Sequence, residues 1–390
     1  MRWRNGARAL GLVLGAYALL AGGALTAQQF VPLRGFEVAD GSYVPATPDR
    51  LAGDTHPLNL PFPEMPGTAE NPITPESATL GRMLFFDPIL SGSNRMSCAT
   101  CHHPDFGWAD ARPLSMGLGG EGLGPERTGG ATLRRHAPTL WNTGFSHAQF
   151  WDGRAPTLEE QAAFPIMAPD EMNQDPSELL WELGDIPQYV AMFEAAYPDD
   201  DYPLSFDNVL RAVATFQRTL VSYNAPYDRY VMGDHDALSA KQKRGLAVFR
   251  SKRAGCMQCH HPPTFAGTDF RVIGVPDPAN DPGVAQAPGG GPEGGFKVPT
   301  LRNITETAPY MHNGAFATLE EVIDFYANGA GWGAGMDHLE VDPRVADGFA
   351  LSAADREALI AFLHALTDTS NTPEIPPRVP SGLPVERAAR

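Results

Sequence analysis

The sequence predicts an all-α protein of two domains with long irregular loops. Three observations carry this reading. Amphipathic helical periodicity recurs along the chain while alternating strand patterns are few. A length of 390 residues is that of about two domains. The 37 prolines and 40 glycines call for extensive irregular connections, and a hydrophobic content of 43% is enough to build sizeable cores.

One five-residue pattern occurs twice, as Cys98-Ala99-Thr100-Cys101-His102 and as Cys256-Met257-Gln258-Cys259-His260. C-x-x-C-H is the attachment signature of a c-type haem. Two thiols reach the two vinyl groups of one porphyrin while the next residue places an imidazole under its iron. Each copy therefore predicts one covalently held haem c, and all four cysteines are used. A zinc site built from the two cysteine pairs is the first alternative, but such modules space their pairs roughly 15 to 20 residues apart, and here most of a domain intervenes. A dithiol redox motif is the second, but neither pair lies in a βαβ pattern and a histidine follows both.

The elements follow in order. Residues 1–27 run from basic Arg2 and Arg4 through an apolar stretch to small residues ending at Ala27, the order of a secretory signal peptide. The apolar stretch is short for a membrane span and no later segment is long enough, so no stable membrane insertion is expected after signal removal. Export suits covalent haem attachment, and the expected compartment is a bacterial periplasm. Residues 28–72, rich in proline and polar groups, read as an extended segment lying over the body.

The first domain spans residues 73–233. Thr74-Pro75-Glu76 starts a helix with Leu80, Met83 and Leu84 on one face, leading into the first motif. The glycine-rich stretch 112–135 cannot be regular and is placed beside the haem as pocket wall. Helical patterns resume over 177–197 and 205–222. In the second domain, 234–370, a capping box at Ser239 opens a helix that ends just before the second motif, so the helix-then-motif order is duplicated. A glycine- and proline-rich loop covers 276–295, a capping box at Thr318 opens a helix that stops at Asn328-Gly329, and Ser352 to Leu366 form the last amphipathic helix. The tail, 371–390, reads as disordered or peripheral.

The formal net charge is −17, and loss of the signal removes three arginines, so nucleic acid is not an expected partner. An acidic surface suits a basic redox partner, and equally a plainly soluble protein.

The blocks Leu80-Gly81-Arg82-Met83-Leu84-Phe85-Phe86-Asp87-Pro88, Gln149-Phe150-Trp151-Asp152-Gly153-Arg154, Val298-Pro299-Thr300-Leu301-Arg302-Asn303 and Ala308-Pro309-Tyr310-Met311-His312-Asn313-Gly314 resemble the bacterial di-haem cytochrome c peroxidase superfamily, from about Leu80 to Leu366. The resemblance implies two cytochrome c-like domains with one c-type haem each, packed across an interface that holds calcium. It implies His102 as proximal ligand of the peroxide-reactive haem and His260 as proximal ligand of the electron-transfer haem. Gln161 and Glu171 match the distal pair, with Glu171 as the acid-base group in O–O cleavage and Gln161 orienting peroxide. Pro165 matches a distal proline, and Trp151 the tryptophan that passes electrons between the haems. The calcium would rest on the backbone carbonyls of Thr307 and Pro309, with His136 where the family has an asparagine.

Two departures point to the MauG-like branch. Leu118 stands where conventional members have a histidine that caps the resting peroxide haem, so that haem is expected to be open. Tyr326 stands where they have a methionine ligand, so the second haem is expected to carry His260 and Tyr326, with Met311, Met336 and His338 as alternatives. The implied activity is an exported oxidoreductase that uses hydrogen peroxide to form a high-valent di-haem state and oxidises a protein partner. A conventional peroxidase taking electrons from a small cytochrome or copper protein is the alternative, and an electron carrier without peroxidase activity the second. Ala254 replaces a surface-route tryptophan of that branch. His103 and His261 are expected at the surface.

Overall fold

The computed structural model describes residues 57–388 apart from residue 337, together with strands β1 (Phe36–Ala39) and β2 (Ser42–Pro45), which pair antiparallel. The expected signal peptide and the rest of the segment before residue 57 lie outside the described residues.

Helix supplies most of the regular structure. The N-terminal half contains α1 (Pro75–Phe86), a helical turn at Cys98–Cys101, α2 (Leu158–Met167), α3 (Pro176–Gly184), α4 (Pro187–Ala196), α5 (Phe206–Arg218) and α6 (Pro226–Val231). The C-terminal half contains α7 (Ala240–Arg250), α8 (Leu319–Ala327) and α9 (Ala353–His364). Two further antiparallel ladders are short: β3 (Gly120–Glu121) with β4 (Thr128–Gly129), and β5 (Phe270–Val272) with β6 (Gly295–Lys297).

The local signals act where their chemistry places them. Thr74, Ser239 and Thr318 each accept a hydrogen bond from the third residue of their helix, closing reciprocal capping boxes. The stretch 177–197 is two helices rather than one, because Pro187 has no N–H to continue α3 and restricts Ile186 to extended backbone. Helix α2, which Thr157 caps by accepting from the Glu160 N–H and which holds Pro165 in its interior, joins the expected set.

One helix crossing is built twice. Gly81 of α1 lies against Ala212 and Phe216 of α5, and Gly245 of α7 lies against Ala358 and Phe362 of α9. A Cβ on either glycine would stand 1.9 Å from the facing carbonyl oxygen, of Ala212 or of Ala358. Only glycine allows the backbones this close. Around the first crossing lie Leu80, Leu84, Val209 and Val213, and around the second Leu246, Phe249, Leu359 and Phe362, all buried.

The tail departs from expectation. Val379 is buried against the cluster of Phe85, Phe86, Ala99 and Trp108, with Ile375 and Val385 beside it, and Leu383 packs on the neighbouring cluster. Ser381 donates to Asp87 Oδ1 (2.6 Å), and Thr100 of the first motif donates to Glu386. Apolar residues at every second to fourth position let an irregular strand stay ordered without regular hydrogen bonding. His103, expected at the surface, is fully buried, its Nδ1 accepting from the Asp105 N–H at 3.2 Å, with Glu386 and Arg387 of the tail close by. His261 is exposed, as expected.

Candidate functional site

The two motifs open onto one continuous cavity of about 680 Å³, which Cys98, Cys101 and His102 line at one end and Cys256, Cys259 and His260 at the other. His102 Nδ1 is 3.0 Å from the Trp108 carbonyl, and His260 Nδ1 is 3.1 Å from the carbonyls of both Phe265 and Pro299. A carbonyl only accepts, so in each ring Nδ1 carries the proton and Nε2 presents its lone pair to the cavity. Burial holds both imidazoles neutral, pushing His260 down to about 4.

None of the four cysteines forms a disulfide. Burial pushes Cys98 and Cys256 up to about 12, which keeps both thiols neutral against the apolar wall. Among the described residues no three His, Cys, Asp or Glu side chains gather as a metal site, so the two cysteine pairs do not converge. Apolar walls suit porphyrin instead: Phe85, Leu140 and Val213 at the first end, Phe249, Leu301 and Leu359 at the second. The Nε of Arg271, on the same wall, is buried without a partner and so available to an anionic edge. The residues fit two haem groups.

Helix α2 places the distal groups. Glu159 is drawn outward to Arg218 (2.6 Å) and Asn71 (2.7 Å), which leaves Gln161 and, one turn on, Pro165 facing the cavity. The chain then reverses: Glu171 N–H donates to Ala168 O (3.0 Å) and Met172 N–H to Pro165 O (3.1 Å), returning Glu171 to the same wall. The glycine-rich stretch backs this reversal, since a Cβ on Gly117 would stand 2.0 Å from the Asp170 carbonyl. Leu118 contributes its N–H to that carbonyl (3.1 Å), and its side chain is absent from the cavity wall. Burial and the neighbouring Asp170 raise the Glu171 pKa, with Arg154 partly offsetting them.

Trp151 lines the cavity and is gripped from both halves. Its indole N–H donates to the His136 carbonyl at 2.9 Å, and its carbonyl accepts from the Lys297 N–H at 2.8 Å. Lys297, half-buried on β6, also donates from Nζ to Ala148 O (2.8 Å), and desolvation of its ammonium pushes its pKa down to about 8.

The site region repeats at an interval of 161 residues. Pro138-Thr139-Leu140 matches Pro299-Thr300-Leu301, and Thr157-Leu158-Glu159-Glu160 matches Thr318-Leu319-Glu320-Glu321. The backbone repeats with it. Asn142 and Asn303 have φ of 59° and 56°, Phe150 and Met311 of 64° and 78°, and bridges join Gln149 to Ala155 and Tyr310 to Phe316. At this interval Trp151 matches His312, Gln161 matches Val322 and Pro165 matches Tyr326. Tyr326 lines the cavity with His260, and burial pushes its pKa up. Met311 also lines the wall; Met336 and the exposed His338 do not.

Of the expected calcium donors, Thr307 and Pro309 would offer carbonyl oxygens, and His136 is the one that fits that ion poorly. His136 Nδ1 lies 2.6 Å from the Arg112 carbonyl, so the side chain offers a ring nitrogen where a hard cation requires oxygen.

Residues 75–236 match the family model described as di-haem cytochrome c peroxidase. The chain is 40% identical over 327 residues to the methylamine utilization protein MauG of Methylorubrum extorquens, covering 82% of this chain and 87% of that protein. It is 36% identical over 340 residues to the cytochrome c551 peroxidase of Pseudomonas aeruginosa, covering 85% and 90%. Among solved structures, a MauG-like protein associated with microbial copper homeostasis superposes with a TM-score of 0.71 at 30% identity, covering 80% of this chain and 95% of that one. The diheme peroxidase BthA from Burkholderia thailandensis does so with 0.62 at 26%, covering 82% and 91%.

Proposed function

The chain belongs to the di-haem cytochrome c peroxidase family and is a peroxidase-type oxidoreductase, and from this we propose that it works in the MauG-like manner, using hydrogen peroxide to oxidise a protein partner. The observation that carries this reading is Tyr326 in the second half at the place of Pro165 in the first, on the cavity wall with His260. We assign one cytochrome c-like domain to residues 73–233 and one to 234–370, each holding a haem c through its two cysteines and its histidine. The haems supply the redox chemistry when bound.

The protein's own residues do the rest. His102 and His260 present neutral Nε2 atoms for ligation, oriented by the carbonyls behind them. Reduction of one peroxide to two waters takes two electrons and two protons. Glu171, unprotonated, accepts the proton from the inner peroxide oxygen and returns it to the outer one, while Gln161 orients the molecule with its amide. Pro165 cannot ligate, and Leu118 puts no ligating side chain on the wall, which leaves the first end open to peroxide. Trp151 passes the electrons between the two ends, and Tyr326 with His260 holds the second end. The electrons come finally from the partner protein.

Electrons from a small cytochrome or copper protein, with peroxide removal as the purpose, are the second reading, which the 36% identity to a cytochrome c551 peroxidase favours. The described residues contain no helix long and apolar enough to cross a membrane, and export to the periplasm by residues 1–27 is part of the proposal. Low-temperature electron paramagnetic resonance of the resting diferric protein, repeated after one equivalent of peroxide, tests the choice. One high-spin and one low-spin signal, lost together, support the MauG-like reading. Two low-spin signals, with no reaction until one centre is reduced, replace it with the conventional one.

A further inference from the structure

We propose that Arg135 is a positioning residue, the fixed cation that locks the two halves of the molecule around Trp151 by holding Asp152 and Asp281 in one buried relay. The proposal rests on the reading of Trp151 as the route between the two ends of the cavity. Arg135 Nε and Nη2 donate to the two oxygens of Asp281 at 2.7 and 2.9 Å, and Nη1 lies 2.7 Å from Asp152 Oδ2. The side chains of Arg135, Asp152 and Asp281 are 11%, 7% and 2% exposed, so water competes little for these bonds. A planar guanidinium can serve two carboxylates on different edges at once, which a lysine ammonium cannot do in the same geometry.

The relay joins distant parts of the chain. Asp152 follows Trp151 directly, and Asp281 lies 146 residues beyond Arg135, on the loop between β5 and β6. That loop ends on the strand whose Lys297 N–H holds the Trp151 carbonyl. On the other side of Arg135, His136 accepts from the Trp151 indole through its carbonyl and donates its own N–H to the His312 carbonyl at 2.7 Å. Arg135 therefore fixes the backbone that fixes both ends of the Trp151 residue. Anchoring one half without the other would leave the indole free to shift with either.

Charge closes the argument. Arg154 adds a second guanidinium to Asp152 (3.0 Å), and Arg134 adds one to Asp281 (3.1 Å). Two interface carboxylates thus meet three guanidiniums. Although burial pushes both carboxyls up, Arg135 and its neighbours hold them below the usual range, so they stay ionised and bound. Asp152 and Asp281 are thus fully paired and leave nothing of their own for a divalent cation to neutralise, and His136 offers a nitrogen in place of an oxygen ligand. The clamp closes without calcium.

The test uses the di-haem holoenzyme, wild type, Arg135→Gln and Asp281→Asn, the last being isosteric and the milder change. The first readout is amide exchange at His136 and Lys297, which requires no peroxide. Exchange at least about tenfold faster in both variants is expected, with the wild type insensitive to EDTA and to added calcium chloride. Unchanged exchange in Asp281→Asn, or wild-type exchange slowed by calcium and restored by EDTA, overturns the proposal. The second readout is paramagnetic resonance after one equivalent of peroxide. With both resting signals unchanged, the variants are expected to lose the high-spin signal at the wild-type rate and the low-spin signal about 10- to 100-fold more slowly. Faster exchange with simultaneous loss of both signals would make Arg135 structural only and overturn the positioning role. If the wild type itself does not lose both signals, the MauG-like reading fails, and the exchange measurement still decides the clamp.

Discussion

Pro165 and Tyr326 occupy the same point of one backbone motif built twice, the first presenting a ring that cannot ligate and the second a phenol. Burial disfavours the phenolate, so Tyr326 ionises only where an adjacent ferric charge offsets that cost. In Tyr326→Phe the low-spin ferric signal is expected to become high-spin. In Tyr326→Met the potential of that centre is expected to rise by on the order of 0.1 V, a fraction of the ~0.8 V that axial ligands command. Spectroelectrochemical titration measures the shift. A low-spin signal surviving in Tyr326→Phe would transfer ligation to Met311.

Glu171 must be unprotonated to take a proton, and burial with Asp170 raises its pKa above the ordinary carboxylate range. The second-order rate with peroxide is therefore expected to rise with pH through that raised pKa and then level off. Glu171→Gln should lower the rate about 10²- to 10⁴-fold and flatten this limb. The stability linkage has the matching sign: a raised folded-state carboxyl pKa favours the fold at low pH, and that contribution is lost as pH rises through it. Stopped-flow across pH, with urea midpoints on the same samples, separates the two effects.

The Trp151 indole donates to a backbone carbonyl, which has no capacity to take the proton away. Oxidised Trp151 is thus expected to keep its proton, so transfer between the two ends should show a solvent deuterium effect close to unity. Trp151→Phe, whose ring is far harder to oxidise, should slow loss of the low-spin signal without slowing the first reaction with peroxide. A large isotope effect in the wild type would require another proton acceptor beside the indole.

Some of this was legible in the sequence because the chemistry is local. Capping at Thr74, Ser239 and Thr318 is set within four residues, and the C-x-x-C-H spacing states its ligand directly. Other features depend on chain far away. His103 reads as a polar residue after a motif, and the tail some 280 residues later buries it. Arg135 reads as one charge in a glycine-rich stretch, because nothing near it announces Asp281. Gly117 reads as loop flexibility, whereas it is needed for the close approach of the Asp170 carbonyl. The 161-residue repeat was open to inspection, but its meaning for Tyr326 depends on knowing which wall Pro165 faces.

The C-terminal strap should support the N-terminal half alone. Val379, Ile375, Val385 and Leu383 all pack on its clusters, and burying such a side chain contributes ~1.5–3 kcal/mol when complete. Truncation after Thr372 would also strip Ser381 from Asp87, whose carboxylate is buried beneath the Tyr189 hydroxyl at 2.5 Å. The expected result is a lower melting temperature for the half around His102, with the half around His260 unchanged. Calorimetry reading two transitions tests it, and a uniform shift of both would show instead that the halves melt as one unit.

Gly81→Ala and Gly245→Ala set two known effects against each other. Replacing glycine within a helix gains roughly 0.5–1 kcal/mol from the unfolded chain's lost freedom. At both sites the new methyl would stand 1.9 Å from a carbonyl oxygen of the crossing helix, and a Cβ of Phe216 or Phe362 lies within 3.0 Å of it. The obstacle is backbone, so no side chain can swing aside and the helices must separate. Overpacking costs ~1–3 kcal/mol even where side chains yield, so against a backbone obstacle the loss should exceed the gain by about 1–2 kcal/mol. Each variant is expected to destabilise its own crossing and loosen the motif that follows it. Urea denaturation followed at the absorption of each haem site measures this. A neutral or stabilised Gly245→Ala would mean that α7 and α9 do not approach this closely in solution.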